Sequence, residues 1–105
     1  EKEGPYWVLS YDLGRGADKK EVDVYFDADG AWVMTRTDLH INDVPQYIKD
    51  YVSASQEYAG ARFVDRDAEY VEKPDGNSYL LEIMIGMYDI DLEVTEEGVI
   101  TERHD

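Results

Sequence analysis

The sequence lacks cysteine and is poor in histidine and basic residues. Its 105 residues include no Cys, 2 His and 10 Lys or Arg against 25 Asp or Glu, so the formal net charge at pH 7 is −15. Without cysteine, disulfides, thiol nucleophiles and Cys-ligated metals are excluded. A field of this sign repels phosphate backbones, so we predict no nucleic-acid partner. The same field attracts cations and basic protein surfaces.

Long apolar runs are missing too. No stretch approaches the ~20 apolar residues that a membrane-spanning helix needs, which predicts that there is no transmembrane segment. No signal peptide is visible, and the chain begins at Glu1 rather than at a Met. We interpret this start as that of a mature protein whose export signal was removed before residue 1. The expected localisation is therefore periplasmic or secreted.

The groups that catalysis needs are also scarce. The two histidines, His40 and His104, do not make a catalytic constellation, and none of the serines lies in a nucleophile elbow. A carboxylate-dependent hydrolase was the enzyme class to consider, but no convergent nucleophile, base and stabilising donor can be assembled for it. We therefore predict a protein that is not an enzyme and has no catalytic residues.

What the sequence does contain is strand periodicity and a segment that nearly repeats. Residues 21–33 (EVDVYFDADGAWV) and 89–101 (DIDLEVTEEGVIT) align at an offset of 68, which is 89 − 21. Their apolar residues alternate in step, and a Gly follows an acidic turn in both. The preceding segments, 7–13 and 79–85, align at an offset of 72, which is 79 − 7. Alternation of this kind predicts half-buried strands, and the offsets predict two equivalent hairpins.

These patterns predict one α+β domain over residues 1–105. We expect an antiparallel sheet of about six to seven strands, built from two hairpin half-repeats at about 6–38 and 42–103, with one main α-helix packed on one face. The predicted strands are 6–13, 21–27, 31–38, 62–73, 77–87, 88–95 and 98–103.

The helix is expected to follow Asp43. This residue is a candidate N-cap, Gln46 stands in the capping-box position, and Pro45 suits the first turn. One buried stripe is formed by Val44, Tyr47, Ile48, Tyr51, Val52 and Ser55. The strand residues predicted to face this stripe are Val22, Val24 and Phe26. Symmetry between the half-repeats predicts a second helix before residue 1. Either such a helix precedes the chain, or the single helix covers the whole sheet.

Aromatic residues suggest a binding surface. The sequence has nine Tyr and two Trp but only two Phe, and Tyr and Trp suit surfaces that are part apolar and part wet. By alternation, Tyr25 and Trp32 point away from the apolar face. With Tyr6 and Tyr70 they are predicted to line an exposed, acid-flanked sheet face that binds a protein or peptide partner. The alternative is that these rings cover the sheet or pair across strands.

A second hypothesis is an acidic protein that binds divalent cations. Asp27, Asp29 and Gly30 resemble the opening of a calcium loop, so calcium is the cofactor that this turn suggests. The twelfth position of such a loop is Asp38, which falls in a predicted strand. The alternative is that the segment is an ordinary acidic hairpin turn, and no other cofactor is expected.

The chain also resembles a known family, the PepSY-like periplasmic proteins, which have a β-lactamase-inhibitor-protein-like fold. The resemblance rests on YFDADGAW at 25–32, Val44-Pro45, Tyr47-Ile48 and the PDG turn at 74–76, and it extends from about Tyr6 to Ile100. It implies an exported bacterial α+β domain without known enzymatic activity. It also implies binding through a concave, aromatic-rich sheet face, as in the related inhibitors.

Overall fold

The computed structural model describes residues 1–64 and 67–103 of the chain. Within them, one α-helix, α1, spans Gln46–Ala54, and short 3-10 helices lie at Gly16–Asp18, Ile41–Asp43 and Gln56–Tyr58. The strands are β1 Lys2–Glu3, β2 Tyr6–Leu13, β3 Lys20–Phe26, β4 Trp32–His40, β5 Arg62–Phe63, β6 Asp67–Lys73, β7 Gly76–Ile85, β8 Tyr88–Thr95 and β9 Ile100–Glu102. No helix in the described part of the chain is long and apolar enough to cross a membrane.

All nine strands belong to one antiparallel sheet in the order β1-β2-β3-β4-β6-β7-β8-β9, and β5 pairs with β7 beside that path. The predicted α+β class with an antiparallel sheet is therefore confirmed, but the strand number of six to seven is wrong. The predicted strand 62–73 is two strands that pair separately with β7. Strands of two residues, such as β1 and β5, are too short to show a period in the sequence, so alternation cannot reveal them.

The helix begins at Gln46 and the predicted capping box is wrong. Asp43 ends the preceding 3-10 helix, and no side chain caps α1. A residue before proline avoids the α conformation. Val44 is accordingly extended, so the helix cannot begin before Pro45. The carbonyl of Pro45 accepts hydrogen bonds from the N–H of Ile48 at 3.1 Å and from the N–H of Lys49 at 3.4 Å, and the second of these starts the α-helical ladder.

The hydrophobic core lies between α1 and strands β6 to β8. Val44, Ile48 and Val52 recur every four residues and are buried, so they face the sheet, whereas Tyr47 and Tyr51 of the predicted stripe are exposed. The sheet contributes Ala68, Tyr79, Leu81, Ile83, Leu92 and Val94 to the same cluster. Burial of one such large side chain stabilises the fold by ~1.5–3 kcal/mol, so this part of the sheet holds much of the apolar stabilisation.

The first hairpin, β2–β3, does not pack on α1. Strand pairing puts Val22, Val24 and Phe26 on the α1 side of the sheet, but none of them belongs to the core cluster around the helix. Val22 is buried, whereas the other two are half-buried. The prediction that these residues face Ile48 and Val52 is wrong, because a helix of nine residues covers only the sheet from β6 to β8.

Candidate binding surface

The side of the sheet that faces away from α1 is the candidate binding surface, and we call it the open face. Strand pairing defines its central residues as Tyr6, Val8, Ser10, Asp12, Glu21, Asp23, Tyr25, Met34, Arg36, Glu69, Val71 and Leu80. The helical segments between β4 and β5 all contribute to the core on the opposite side. They therefore leave the open face uncovered.

Two of the four predicted binding residues, Tyr6 and Tyr25, form a pair on the open face. Their ring centroids are 6.1 Å apart and their planes meet at 87°, which is a favourable edge-to-face arrangement. The cross-strand partner of Tyr25 is the buried Val8. Burial raises the pKa of Tyr25, and the charge of Arg36 opposes that shift. The Tyr25 hydroxyl is therefore neutral at pH 7 and can donate or accept a hydrogen bond.

An ion pair between Arg36 of β4 and Glu69 of β6 lies near the centre of the open face. Arg36 Nε donates to Glu69 Oε2 at 2.9 Å, and Nη2 donates to the same oxygen. Burial works to lower the pKa of Arg36, but the hydrogen bond and charge of Glu69 outweigh it and raise the pKa. A cleft of about 160 Å³ beside the guanidinium is lined by Met34, Val71 and Leu80, among others. No local sequence pattern indicates this pair, because its members are 33 residues apart along the chain.

Acidic residues line the outer part of the open face. Asp12 and Glu21 are directly opposite each other across β2 and β3, and Asp23 follows; we call these three the acidic strip. The charge of Asp23 is the main cause of a raised pKa at Glu21. Ser10 Oγ donates to Asp23 Oδ1 at 2.6 Å, and Lys19 pairs with Asp12 at 3.1 Å. Directly opposed like charges destabilise a sheet. The acidic strip therefore lowers the stability of this part of the sheet and gives it a negative surface.

Trp32 does not lie on the open face. The register of β3 and β4 shifts between Tyr25 and Phe26, so Met34 pairs with Tyr25 while Trp32 pairs with Phe26. Trp32 Nε1 donates to Thr35 Oγ1 at 2.9 Å, which places the indole on the α1 side. The predicted grouping of Trp32 with Tyr25 is therefore wrong, because a bulge inserts one residue and reverses the alternation.

Tyr70 also lies on the α1 side. Its ring centroid is 4.8 Å from that of Tyr79 in the core, and burial is the main cause of its raised pKa. The four predicted residues are thus divided: Tyr6 and Tyr25 share the open face, while Trp32 and Tyr70 lie on the other side at different strands. Their role in partner binding stays a prediction.

The residues proposed for calcium form a hairpin turn. Asp27 Oδ1 accepts hydrogen bonds from the N–H groups of Asp29 at 2.9 Å and Ala31 at 3.0 Å. Gly30 takes a positive φ of 86°, which a side chain would disfavour. The described residues contain no group of three or more His, Asp or Glu side chains placed to hold a metal ion. The carboxylate of Asp27 thus has a structural use, and the calcium hypothesis stays a prediction without a supporting contact.

His40 is also used locally. Its Nδ1 accepts a hydrogen bond from the N–H of Asn42 at 3.2 Å, next to the 3-10 helix that leads to α1. His104, the other histidine of the sequence, lies outside the described residues. This hydrogen bond gives His40 a structural role in the turn before the 3-10 helix.

Comparisons with known proteins agree with this architecture. Residues 14–102 match the profile of a family described as beta-lactamase-inhibitor-like, PepSY-like. The crystal structure of a BLIP-like protein from Bacteroides fragilis is similar, with a TM-score of 0.71, 28% identity, and coverage of 98% of this chain and 70% of that one. Among curated proteins no sequence matches. The profile covers most of the sequence and confirms the predicted resemblance: the chain belongs to the PepSY-like family of beta-lactamase-inhibitor-like proteins.

Proposed function

We propose that the protein is a non-enzymatic, exported, inhibitor-like binding module that recognises a protein or peptide through its open face. The observation that carries the proposal is the Tyr6–Tyr25 pair beside the acidic strip, on a sheet surface that the helical segments leave uncovered. Tyrosine is enriched among the residues that dominate the binding energy of protein interfaces. Neighbouring strands hold these rings in place, so binding costs little side-chain entropy.

Family membership supports the class of function. The matching family is described as beta-lactamase-inhibitor-like, and the resemblance to it implies export and action by binding rather than by catalysis. We extend both properties to this chain and infer a periplasmic or secreted location and no enzyme activity. Trp32 and Tyr70 are left out of the proposed interface because they lie on the α1 side of the sheet.

The charge of the open face favours a basic partner. The chain carries a net charge of −15, and the acidic strip adjoins the tyrosine pair. A negative surface of this kind accelerates encounters with positive partners and slows those with negative ones. Arg36 is already paired with Glu69, so it offers a fixed planar side chain rather than a free charge. We therefore expect a partner surface with Lys or Arg around one apolar or aromatic anchor.

The test is affinity capture from a periplasmic extract followed by measurement of Kd with the purified partner. Tyr25→Ala removes a ring of the open face, and we expect it to weaken binding by at least about tenfold, as loss of a central interface tyrosine commonly does. The matched control is Tyr88→Ala, because Tyr88 is exposed at the β7–β8 turn and lies on the α1 side. This control should bind as the wild type does.

Two results would overturn the proposal. One is equal affinity of the wild type and Tyr25→Ala, which would remove the open face from the interface. The other is an association rate that does not fall when salt rises from about 0.05 to 0.5 M, because screening must slow an encounter steered by the acidic strip.

A further inference from the structure

Three of the ten basic residues of the sequence, Arg36, Lys73 and Arg103, line the cleft of about 160 Å³ on the open face. We call it the basic cleft. Among the described residues that line it, Glu93 is the one carboxylate. Three positive side chains thus stand against one negative side chain, in a chain whose net charge is −15. The basic cleft is therefore opposite in charge to the protein as a whole.

Arg103 follows the last strand and lies on the open face. Its N–H donates to the carbonyl of Asp91 at 2.8 Å, which continues the pairing of β8 with β9 by one step. The neighbouring Glu102 accepts a hydrogen bond from the hydroxyl of Tyr58, which belongs to the core on the α1 side. Successive side chains of a strand point to opposite faces. The side chain of Arg103 therefore points into the open face.

The three cationic groups of the basic cleft differ in the partners they already have. Arg36 donates to Glu69, and Lys73 Nζ lies 3.9 Å from Glu93 Oε2. The half-buried side chain of Arg103 makes no hydrogen bond or ion pair with the described part of the chain. A guanidinium has five N–H donors and no acceptor. Arg103 thus provides donors that an anion in the cleft can use.

The remaining lining of the basic cleft is apolar. It consists of Met34, Val71 and Leu80, and Val71 is buried. At roughly 30 Å³ per water, the cleft has room for about five waters. One side chain fits such a space, whereas a whole strand or helix does not. The matching group therefore has a short aliphatic stem and a negatively charged end.

Acidic clefts adjoin the basic cleft at both of its ends along β7. The open-face residues Ser78, Leu80 and Glu82 line the three clefts in turn. The cleft at Glu82 has a volume of about 380 Å³. Its carboxylates are Asp38, Glu69, Glu82 and Asp91. The carboxylates of the cleft at Ser78 are Asp75, Glu93 and Glu97. A segment that runs along β7 therefore meets negative, positive and negative charge in that order.

We propose that the basic cleft receives a Glu side chain of the partner, from an extended segment with Lys or Arg two residues before and two residues after that Glu. This inference rests on the proposed function, because it takes the open face as the interface. Side chains on one side of an extended chain are ~6.6 Å apart, as are those of Ser78, Leu80 and Glu82. The partner's Glu accepts charge-assisted hydrogen bonds from Arg103 and Lys73, and its two basic side chains meet the acidic clefts.

Two synthetic peptides test the charge order. One has the sequence Lys-Ser-Glu-Ser-Lys with acetylated and amidated ends, and the other has Gln in place of Glu. Attraction by net charge alone favours the Gln peptide, because it is the more positive of the two and the chain carries −15. We expect the opposite order. The Glu peptide should bind about tenfold more tightly in an NMR titration of the protein.

Variants of the protein locate the bound carboxylate. Arg103→Gln should abolish the preference for the Glu peptide, and Lys73→Gln, on a different strand, should reduce it. The matched control is Lys49→Gln, because it makes the same change of charge on α1, at the opposite side of the sheet. This control should keep the full preference.

Four results would overturn the proposal. The first is equal or tighter binding of the Gln peptide, and the second is no binding of the Glu peptide up to about 1 mM. The third is a preference that survives both Arg103→Gln and Lys73→Gln, since the carboxylate then lies elsewhere. The fourth is a Glu-free peptide with a free terminal carboxylate that binds as tightly and depends on Arg103, which would assign the cleft to a chain terminus.

The captured partner separates this inference from the proposed function. If Tyr25→Ala weakens binding of that partner and Arg103→Gln does not, the open face is the interface and the use of the basic cleft is disproved. If neither substitution weakens binding, both proposals fail. If both substitutions weaken it, both proposals are supported.

Discussion

The two hairpins of the sheet, β2–β3 and β7–β8, share a pairing register but differ in the burial of their apolar residues. Leu81 is 3% exposed and its counterpart Leu9 is 58% exposed, while Tyr79 and Trp7 are 8% and 50% exposed. The second hairpin lies beneath α1 and the first does not. Strand pairing thus determines which side chains share a face of the sheet, and helix packing determines which of them are buried. The free energy of folding should therefore depend far more on the second hairpin.

The largest expected effect compares one leucine from each hairpin. Leu81→Ala should lower the free energy of unfolding by ~2–5 kcal/mol, because it removes buried methyl groups and leaves a cavity beneath α1. Leu9→Ala should cost less than about 1 kcal/mol, since its side chain is already more than half in water. Urea unfolding followed by circular dichroism measures both. Equal losses would show that the first hairpin is as well packed as the second.

The glycines of the two turns provide a smaller and sharper contrast. Alanine at either Gly98 or Gly30 must adopt a positive φ, which costs about 1–2 kcal/mol. Only Gly98→Ala also crowds the Tyr51 ring, and we expect an extra ~1–3 kcal/mol from overpacking. The difference between the two variants in thermal or urea unfolding measures the contact with α1. Adding Tyr51→Ala should remove the difference, and a difference that persists would mean that the crowding lies elsewhere.

The smallest expected effect is that of Tyr79, which lies under the helix. Its ionisation changes the free energy of unfolding only at alkaline pH. Burial raises its pKa to about 12. The folded protein keeps the phenolic proton at a pH where the unfolded chain, with a pKa near 10, has lost it. This contribution to stability is complete below pH 10 and is lost as the pH rises from 10 to about 12. Tyr79→Phe should have a shallower alkaline loss in urea unfolding at pH 9 to 11.5, and an unchanged slope would contradict this account.

Part of the fold follows from local pattern. The predicted strands 6–13 and 88–95 coincide with β2 and β8, because alternation over eight residues is a strong signal. The family resemblance, carried by short motifs, is confirmed. Local pattern failed at Val44, which the following proline holds out of the helix. It failed again at the bulge between Trp32 and Met34, since one inserted residue leaves the side chains on its two sides on opposite faces of the sheet.

Alternation predicted the face of the sheet correctly for two of the four candidate residues, and their role in binding stays a prediction. Tyr6 and Tyr25 share the open face, as expected from alternation in two regular strands. Arg36 and Glu69 were not foreseen, because a contact across 33 residues depends on which strands become neighbours. The pairing of β4 with β6 leaves β5 to one side, and no local period in the sequence encodes that arrangement.

By itself, the sequence determined the alternation of apolar and polar residues, the acidic charge, the acidic-Gly turns and the family. Alternation and turns depend on neighbours along the chain and can be read within about ten residues, whereas the net charge is a sum over all residues and the family profile spans residues 14–102. The tertiary structure decided that α1 covers only the sheet from β6 to β8, which separates buried Leu81 from exposed Leu9. Burial depends on what packs above a residue, and two segments of similar pattern differ in burial when only one of them has a helix above it.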